Sequence, residues 1–597
     1  LGMLYLHTLY ISMTKKPIIL IFLFSLLFSC VKERDLSQNT VIAHILSQPD
    51  GLHPFNDNSV MRSFICSYTQ KTLVDLDLET LEYSPSLLKT LPIPSKDNKS
   101  FYFELKENIR WDDGTELTGE DIAFTAKLML CPLTNNAQIR SNYSTVIKSV
   151  EVDKENPLKF TMHAQNIHWD NRLILGLIYI QQKNYWDPNG ILDNLTFEDV
   201  LSPKFTETEE ISEWFNNFNN ADNSYKPNNL VGLGQYYVSE WEASQYITLK
   251  KKENWWASND STKYNTAYPQ EIIFKIIKED ASSYLALKNQ DIDVTTNIGT
   301  VKLMKLRERE YFNNNYDSDF LDQYSFNYIG LNMKPDGLKF KPFFVDKRVR
   351  KAMAYMTPVD EVIEVMVHGQ AARQASNISP LKKTYNDTLE LIQLDIEKAK
   401  ELLSEAGWVD TDGDNIRDKV INGVKTPFSF KFSYMSSPTS KEIVLMMKES
   451  FYKAGIVAEP TPMDFTLFYK NAMDHKFDAM LGGWGGSASY SNPMQIWHTS
   501  SWVNKGSNFV GFGDASSDAL IEEANLTLDE DIHNNALLKL QAKIYDEQPY
   551  VFLYCTKRKF AIHKRFDNRG MYNERPGVIL NNLKLNSNFS MAPTNIQ

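Results

Sequence analysis

Residues 101–127 read FYFELKENIRWDDGTELTGEDIAFTAK, and three kinds of local structure follow one another within them. Phe101, Phe103 and Leu105 alternate with Tyr102 and Glu104, the period of two that turns one face of a strand toward a core. Asp113-Gly114 marks a turn, because aspartate bonds nearby backbone amides and glycine accepts angles closed to other residues. Thr118 stands three residues before Asp121, the spacing at which each side chain reaches the other's backbone N–H, and an apolar helical pattern follows through Leu130. A strand, a turn and a capped helix in immediate succession predict a mixed α and β fold.

The same mixture continues outward. Upstream, VIAHILSQPDGLHPFND (41–57) is a short apolar strand followed by a turn-rich stretch. Residues 202–229 are rich in Asn, Glu and Ser and read as a surface excursion, and strands return over 231–252. Asp395 to Ala406 (DIEKAKELLSEA) predicts a helix capped by Asp395, with Ile396, Ala399, Leu402, Leu403 and Ala406 on one face and Gly407 at the C-terminal cap. No short repeat and no long low-complexity tract interrupts the chain.

With 597 residues, the chain has room for about three or four domains of roughly 150 residues, or for two large lobes. Its 42 % hydrophobic and 23 % charged residues are ordinary globular usage, which excludes a disordered chain, a collagen-like fibre and a polytopic membrane protein. A formal net charge of −12 argues against nucleic-acid binding, which calls for a basic face. Aromatic residues at 12 % suit a large core and an aromatic-lined ligand site.

One long apolar run exists, PIILIFLFSLLF from Pro17 to Phe28, after Lys15-Lys16 and before Ser29-Cys30. It is too short for the roughly 20 helical residues that cross a bilayer and fits the apolar core of a secretory signal. Met13 is the expected start, with residues 1–12 an upstream extension. Leu27-Phe28-Ser29-Cys30 resembles a bacterial lipobox, which implies a signal over residues 1–29, a lipid on Cys30, and a polar tether over 30–40. Cys66, Cys131 and Cys555 remain, without the close spacing of a disulfide framework or a CxxC metal or redox site.

Five segments, in order, resemble bacterial extracellular solute-binding proteins of family 5, the peptide and nickel receptors of ABC importers. They are the opening stretch (Trp111, Asp113, Gly114, Thr115, Glu120, Asp121); residues 330–371, with Asn332, Pro342-Phe343, Asp346, Arg348-Val349-Arg350 and Ala352; Asp395 to Asp418; KAGIVAEP; and FDAMLGGWGGSASYSNP. Gly232-Leu233-Gly234-Gln235-Tyr236 stands where the family has a Gly-Thr-Gly-Pro-Tyr-like turn. The resemblance covers nearly the whole chain after Cys30. It implies an α/β, two-lobed periplasmic-binding-protein fold of the large type II class, closing on a central cleft. One lobe maps to 41–320 plus 540–597, with an inserted subdomain near 76–229, and the other to 321–539. It further implies a monomeric receptor in the cell envelope, facing the periplasm or cell exterior, with a peptide or other small solute and a membrane permease as partners, no cofactor and no catalysis. A sensor of the same fold, or a binder of sugar, nickel or a metal chelate, is the alternative.

The expected ligand-facing segment is GGWGGSASYSNPMQIW, 482–497. A glycine-rich backbone admits close approach and leaves N–H and C=O groups for a ligand. By family position the expected contacts are Trp484, Gly485, Gly486, Ser487, Ser489, Tyr490 and Trp497, with Asn58 beyond the first strand. Trp111, Asp113-Gly114, Arg348 and Arg350 read as structural. Peptide-binding members often carry an aspartate between this tryptophan and the next proline, where it meets the peptide ammonium. Here the interval Trp484 to Pro493 holds no carboxylate. Either another acid, such as Asp57 or Asp514, takes that role, or the ligand is not an ordinary free-amine peptide. Asp410-Thr-Asp412-Gly-Asp414-Asn415 reads as a turn, since a calcium loop of the EF-hand type wants Gly at its sixth position and Glu at its twelfth, and no metal site is expected. The GxSxG nucleophile elbow and the phosphate-binding P-loop are both missing.

Overall fold

The alternation at 101–105 is realised as the strand Ser100–Glu104, with Phe101 and Phe103 buried and Tyr102 exposed. The computed structural model describes residues 34–589 apart from 57–58, 137–138, 141–142, 170, 489–491 and 505. Cys30 and the apolar run before it therefore lie outside the described residues, as do Asp57, Asn58, Ser489 and Tyr490. No helix among the described residues is long and apolar enough to cross a membrane.

Ser100–Glu104 pairs antiparallel with Ile93–Pro94 and Lys159–Ala164, and Ile147–Val152 completes a four-stranded sheet. The helix Gly119–Leu130 begins at the expected capping box, where the Thr118 N–H donates to Asp121 and the Thr118 hydroxyl accepts from the first turn. Its apolar residues, Ile122, Ala126 and Leu130 among them, share a core with Phe101, Phe103 and Phe160. Residues 202–229 are more than a surface excursion. Glu209–Phe218 is an amphipathic helix whose Trp214, Phe215 and Phe218 enter that core, so its polar composition belongs to one face only.

A seven-stranded sheet runs in the order Tyr316–Leu321, Arg558–His563, Val294–Thr295, Thr40–Ile45, Glu271–Ile276, Tyr246–Lys251 and Tyr236–Glu242. Thr40–Ile45 is parallel to both its neighbours. Alternate residues cover both faces: Val41, Ala43, Ile45, Phe560 and Ile562 enter one core, and Ile42 and Ala561 enter another. Asp293 and Arg565 meet inside this sheet, at 0 % and 1 % side-chain exposure and 2.8 Å. Asp293 also accepts from the Ile42 N–H, and Arg565 donates to the Thr40 carbonyl. The pair thus ties the first strand to the C-terminal segment.

The five-stranded sheet runs Val457–Met463, Ser429–Met435, Ala479–Trp484, Phe326–Leu331 and Tyr550–Phe552. Ser429–Met435 is parallel to both its neighbours, and the helix Pro438–Lys453 supplies one crossover. Ile329, Leu331, Ala479 and Val551 join a core on one face; Phe326, Tyr328, Met480, Tyr550 and Phe552 join a core on the other. The predicted helix near 395–406 appears as Ile396–Glu405, capped by Asp395, with Gly407 at φ +82°. Arg348 pairs with Asp346, and buried Arg350 bonds Glu547 and three carbonyls. Both arginines therefore brace helix starts, as their setting predicted. Among the described residues no disulfide links Cys66, Cys131 and Cys555, and all three are buried.

The chain crosses between these two sheets over residues 322–325 and returns over 553–557, past residue 540, because Tyr550–Phe552 still pairs with Phe326–Leu331. The crossings lie side by side: Gln323 Nε2 donates to the Thr556 carbonyl at 2.6 Å, and the Cys555 thiol donates to the Gln323 carbonyl at 3.2 Å.

Removing one partner of a fully buried ion pair strands the other charge. Asp293→Ala is therefore expected to cost about 3–5 kcal/mol, read as a lower urea midpoint by far-ultraviolet circular dichroism. An unchanged midpoint would show that the pair contributes nothing to holding the first strand.

Candidate functional site

Glycine 482 is where the site begins. Ala479–Trp484 lies antiparallel to Phe326–Leu331, with Gly482 opposite Tyr328 and Trp484 opposite Phe326. A β-carbon on Gly482 would stand 2.8 Å from the Tyr328 ring, which stacks on Tyr550 at 3.8 Å between centroids. Glycine is what lets that ring lie across the strand. Burial pushes the Tyr550 hydroxyl up to about 12.

Trp484 shares a face with Met480 and Gly482. Its ring stacks on Phe509 at 5.5 Å and its Nε1 donates to the Tyr550 hydroxyl at 3.3 Å. Trp497 is 1 % exposed and packs against Phe512 and Tyr550. Trp484, expected at the ligand, is half-buried against the core of the five-stranded sheet, and Trp497, expected there too, is turned wholly into it. Trp497 in particular has no surface left to offer, because its short helix Met494–Trp497 packs flat on that core.

Past Trp484 the strand ends and the backbone meets the other sheet's C-terminal segment. A β-carbon on Gly486 would stand 2.1 Å from the Tyr324 carbonyl oxygen, in the first crossing segment. Gly485 is exposed, with only the Arg575 guanidinium near it, 3.7 Å from where a β-carbon would be. Ser487 is half-buried. The Ala488 N–H donates to Oε2 of Glu574, whose Oε1 accepts from the Arg575 N–H at 3.0 Å. Glu574 is 4 % exposed. Arg558 donates from Nη1 to the Glu574 carbonyl at 3.3 Å. Lys382 lies 6.0 Å from the Tyr324 ring centroid. Burial lowers the Lys382 ammonium to about 8 against the opposing pull of Glu574. Burial, reinforced by the Arg575 charge, brings Arg558 to about 10.

Other expected groups are engaged elsewhere. Asp514 caps the helix Ala515–Asn525 and pairs with Lys543 at 2.8 Å, which holds its carboxyl far below the usual range. Asp410, Asp412 and Asp418 draw within 4.8 Å of one another. Lys425 sits against Asp412 and Asp418 at 2.6 and 3.3 Å, and Asp410 accepts from the Gly413 and Asn415 N–H groups. These carboxylates brace a turn. Trp111 is buried, and Asp113 accepts from Thr115 and Gln182 beside Gly114 at φ +86°. A concavity of about 580 Å³ at this corner, lined by Asp112, Asp113, Gln182, Tyr185, Tyr237 and Lys250 among others, shares no residue with the glycine loop. Gly232 and Gly234 press on the Thr69 and Tyr68 carbonyls, where a β-carbon would stand 2.2 and 2.4 Å away.

Residues 82–507 match the profile described as bacterial extracellular solute-binding proteins, family 5 Middle. The chain belongs to this family. As a family 5 protein it is an extracytoplasmic solute-binding protein and not an enzyme. It is 27 % identical over 482 residues, 79 % of each chain, to the oligopeptide-binding protein AppA of Bacillus subtilis. Among solved structures, AppA from Bacillus subtilis in complex with a nonapeptide has a TM-score of 0.71 at 22 % identity, covering 92 % of this chain and 99 % of that one. NikZ from Campylobacter jejuni in complex with Ni(L-His) has a TM-score of 0.69 at 19 % identity, covering 91 % and 97 %. Both likenesses show the two-lobed family 5 fold.

Glu574, Arg575, Arg558 and Lys382 escaped the reading of the sequence. No local pattern joins Arg575 to Gly485, and only the return crossing brings them together. The inward turn of Trp484 did carry a signal, because the parity of Met480, Gly482 and Trp484 on one strand was readable.

The two loop glycines should respond differently to a methyl group. Gly486→Ala, forced against a backbone carbonyl, is expected to destabilise by about 1–3 kcal/mol, while Gly485→Ala leaves the melting temperature nearly unchanged. Equal melting temperatures for the two variants would contradict the packing of the loop on Tyr324.

Proposed function

We propose that this protein is the substrate receptor of an ABC importer. Held at the membrane by a lipid on Cys30, it closes its lobes over a peptide or peptide-like solute and delivers the closed form, as a monomer, to a permease. The observation that carries this reading is the loop 485–488, a backbone ribbon with little side-chain cover, lying where the second lobe meets the crossing segment and the C-terminal segment of the first. Hinge closure brings groups from two lobes onto one solute, and a bare backbone at that junction suits an extended chain of N–H and C=O groups. The name of AppA and its nonapeptide complex support a peptide. In this reading Gly485, Gly486, Ser487, Ser489, Tyr490 and Asn58 contact the solute, and residues 322–325 and 553–557 are the hinge.

A second reading, a metal chelate as solute, is favoured by two observations: the likeness to NikZ with Ni(L-His), and the lack of a carboxylate between Trp484 and Pro493.

Native mass spectrometry of the protein purified without denaturation separates them. A retained mass that fragments into a mixture of short peptides is the expected result. A single non-peptide mass, or an empty protein whose melting temperature no peptide pool raises, would overturn the peptide reading. The anchor has its own test. Cys30→Ser is expected to move the protein from the membrane to the soluble fraction of cells and to abolish labelling by an alkyne fatty acid; a variant that still labels would disprove the lipid.

A further inference from the structure

We propose that the loop end of this cleft recognises a carboxylate of the solute, held by the guanidinium groups of Arg575 and Arg558, so that the solute's acidic end and not its amine is bound at Gly485–Ala488. The inference rests on the receptor reading above and names the chemistry that its loop selects.

Charge and spent hydrogen bonds both favour an anion at this loop. Lys382 and Arg558 both feel the Glu574 charge, Arg558 bonds the Glu574 carbonyl, and the Arg575 guanidinium lies 3.7 Å from where a Gly485 β-carbon would stand. Glu574 has both oxygens engaged by backbone N–H groups, those of Ala488 and Arg575. It is nearly buried, so it braces the loop and has little left with which to receive a ligand ammonium. The local formal charge is positive in a chain whose net charge is −12, and an incoming ammonium would be repelled.

Arg558 and Arg575 are less buried, and less fully bonded, than Arg565 and Arg350. Arg565 is matched by Asp293, and Arg350 by Glu547 and three carbonyls. Among the described residues, Arg558 makes one hydrogen bond, at 3.3 Å, and no salt bridge. The Arg575 guanidinium makes neither and lies beside exposed Gly485. A guanidinium carries five N–H donors in a planar fork that matches a carboxylate. Arg558 is half-buried and Arg575 is exposed, so their open donors can be reached, and a carboxylate that takes them up forms charge-assisted hydrogen bonds. Gly485 keeps the approach open, since any side chain there would project toward the Arg575 fork. The arrangement also accounts for the carboxylate missing between Trp484 and Pro493, because a loop end that receives an anion has no use for an acid.

Isothermal titration calorimetry with three hexapeptides tests this: hexa-alanine with a free C-terminus, its C-terminal amide, and the amide with one internal glutamate. The free acid is expected to bind about tenfold more tightly than the amide. Restoration by the internal glutamate would assign the site to an acidic side chain, and its failure to the C-terminal carboxylate. In exposed Arg575→Gln the preference should shrink below about twofold. Glutarate, a plain dicarboxylate, reads the same site without a peptide and should raise the melting temperature of the parent protein but not of Arg575→Gln. Equal binding of acid and amide by the parent protein, or equal weakening of both in Arg575→Gln, would overturn the inference. If no hexapeptide binds but the glutarate shift persists and depends on Arg575, the peptide reading fails and the carboxylate site stands. If neither probe depends on Arg575, the carboxylate site fails whatever else the protein binds.

Discussion

Two lengths of extended backbone, 316–331 and 550–563, run antiparallel and belong to both large sheets at once. Each sheet is locked to this pair by ladder hydrogen bonds and by apolar residues on both faces, so each moves as a rigid layer. Among the described residues, the crossings are joined to each other by Gln323 to Thr556, Cys555 to Gln323 and the close approach of Cys555 to Ser325, while the return crossing also pairs with Ala371–Arg373. Stiff layers joined by a sparse link concentrate bending at the link. The glycine loop then gains its place from topology, because Trp484 ends the strand beside Phe326 and the next residues must lie over the crossing.

The polar groups divide into two kinds. Some charges are matched and spent within the fold. Asp293 and Arg565 fasten the first strand to the last segment, Arg350 and Glu547 fasten two helices, and Asp121 closes a helix start. At the loop, cations outnumber the one carboxylate, Glu574. The first kind specifies the fold and the second leaves a demand that a solute can meet.

How much of this was legible follows from the range of each interaction. The strand at 101, the Asp113-Gly114 turn, the capping box at Thr118 and the helix after Asp395 depend on neighbours a few residues away, and each is found where its pattern stands. The helix Glu209–Phe218 was hidden because a polar average masks a narrow apolar stripe. Trp497 was read as a ligand contact from its place in the chain, while packing turned its ring wholly inward, and Trp484 rests half-buried on the same core. The cationic cluster at Glu574 had no local pattern at all, since it is assembled from residues 382, 485–488, 558 and 574–575.

The place of the C-terminal strands bears on how such a chain comes into being. Thr40–Ile45 lies in a sheet that also needs Arg558–His563, and Arg565 reaches back to Thr40 across 525 positions. The other sheet needs Tyr550–Phe552. Neither sheet can finish until residues 550–563 have been synthesised, and contacts so distant along the chain form slowly. A nascent or translocating chain of this design stays loose until residues 550–563 arrive. A fragment cut short before residue 550 lacks a strand from both sheets, which gives a protease a clear distinction between the unfinished chain and the complete one.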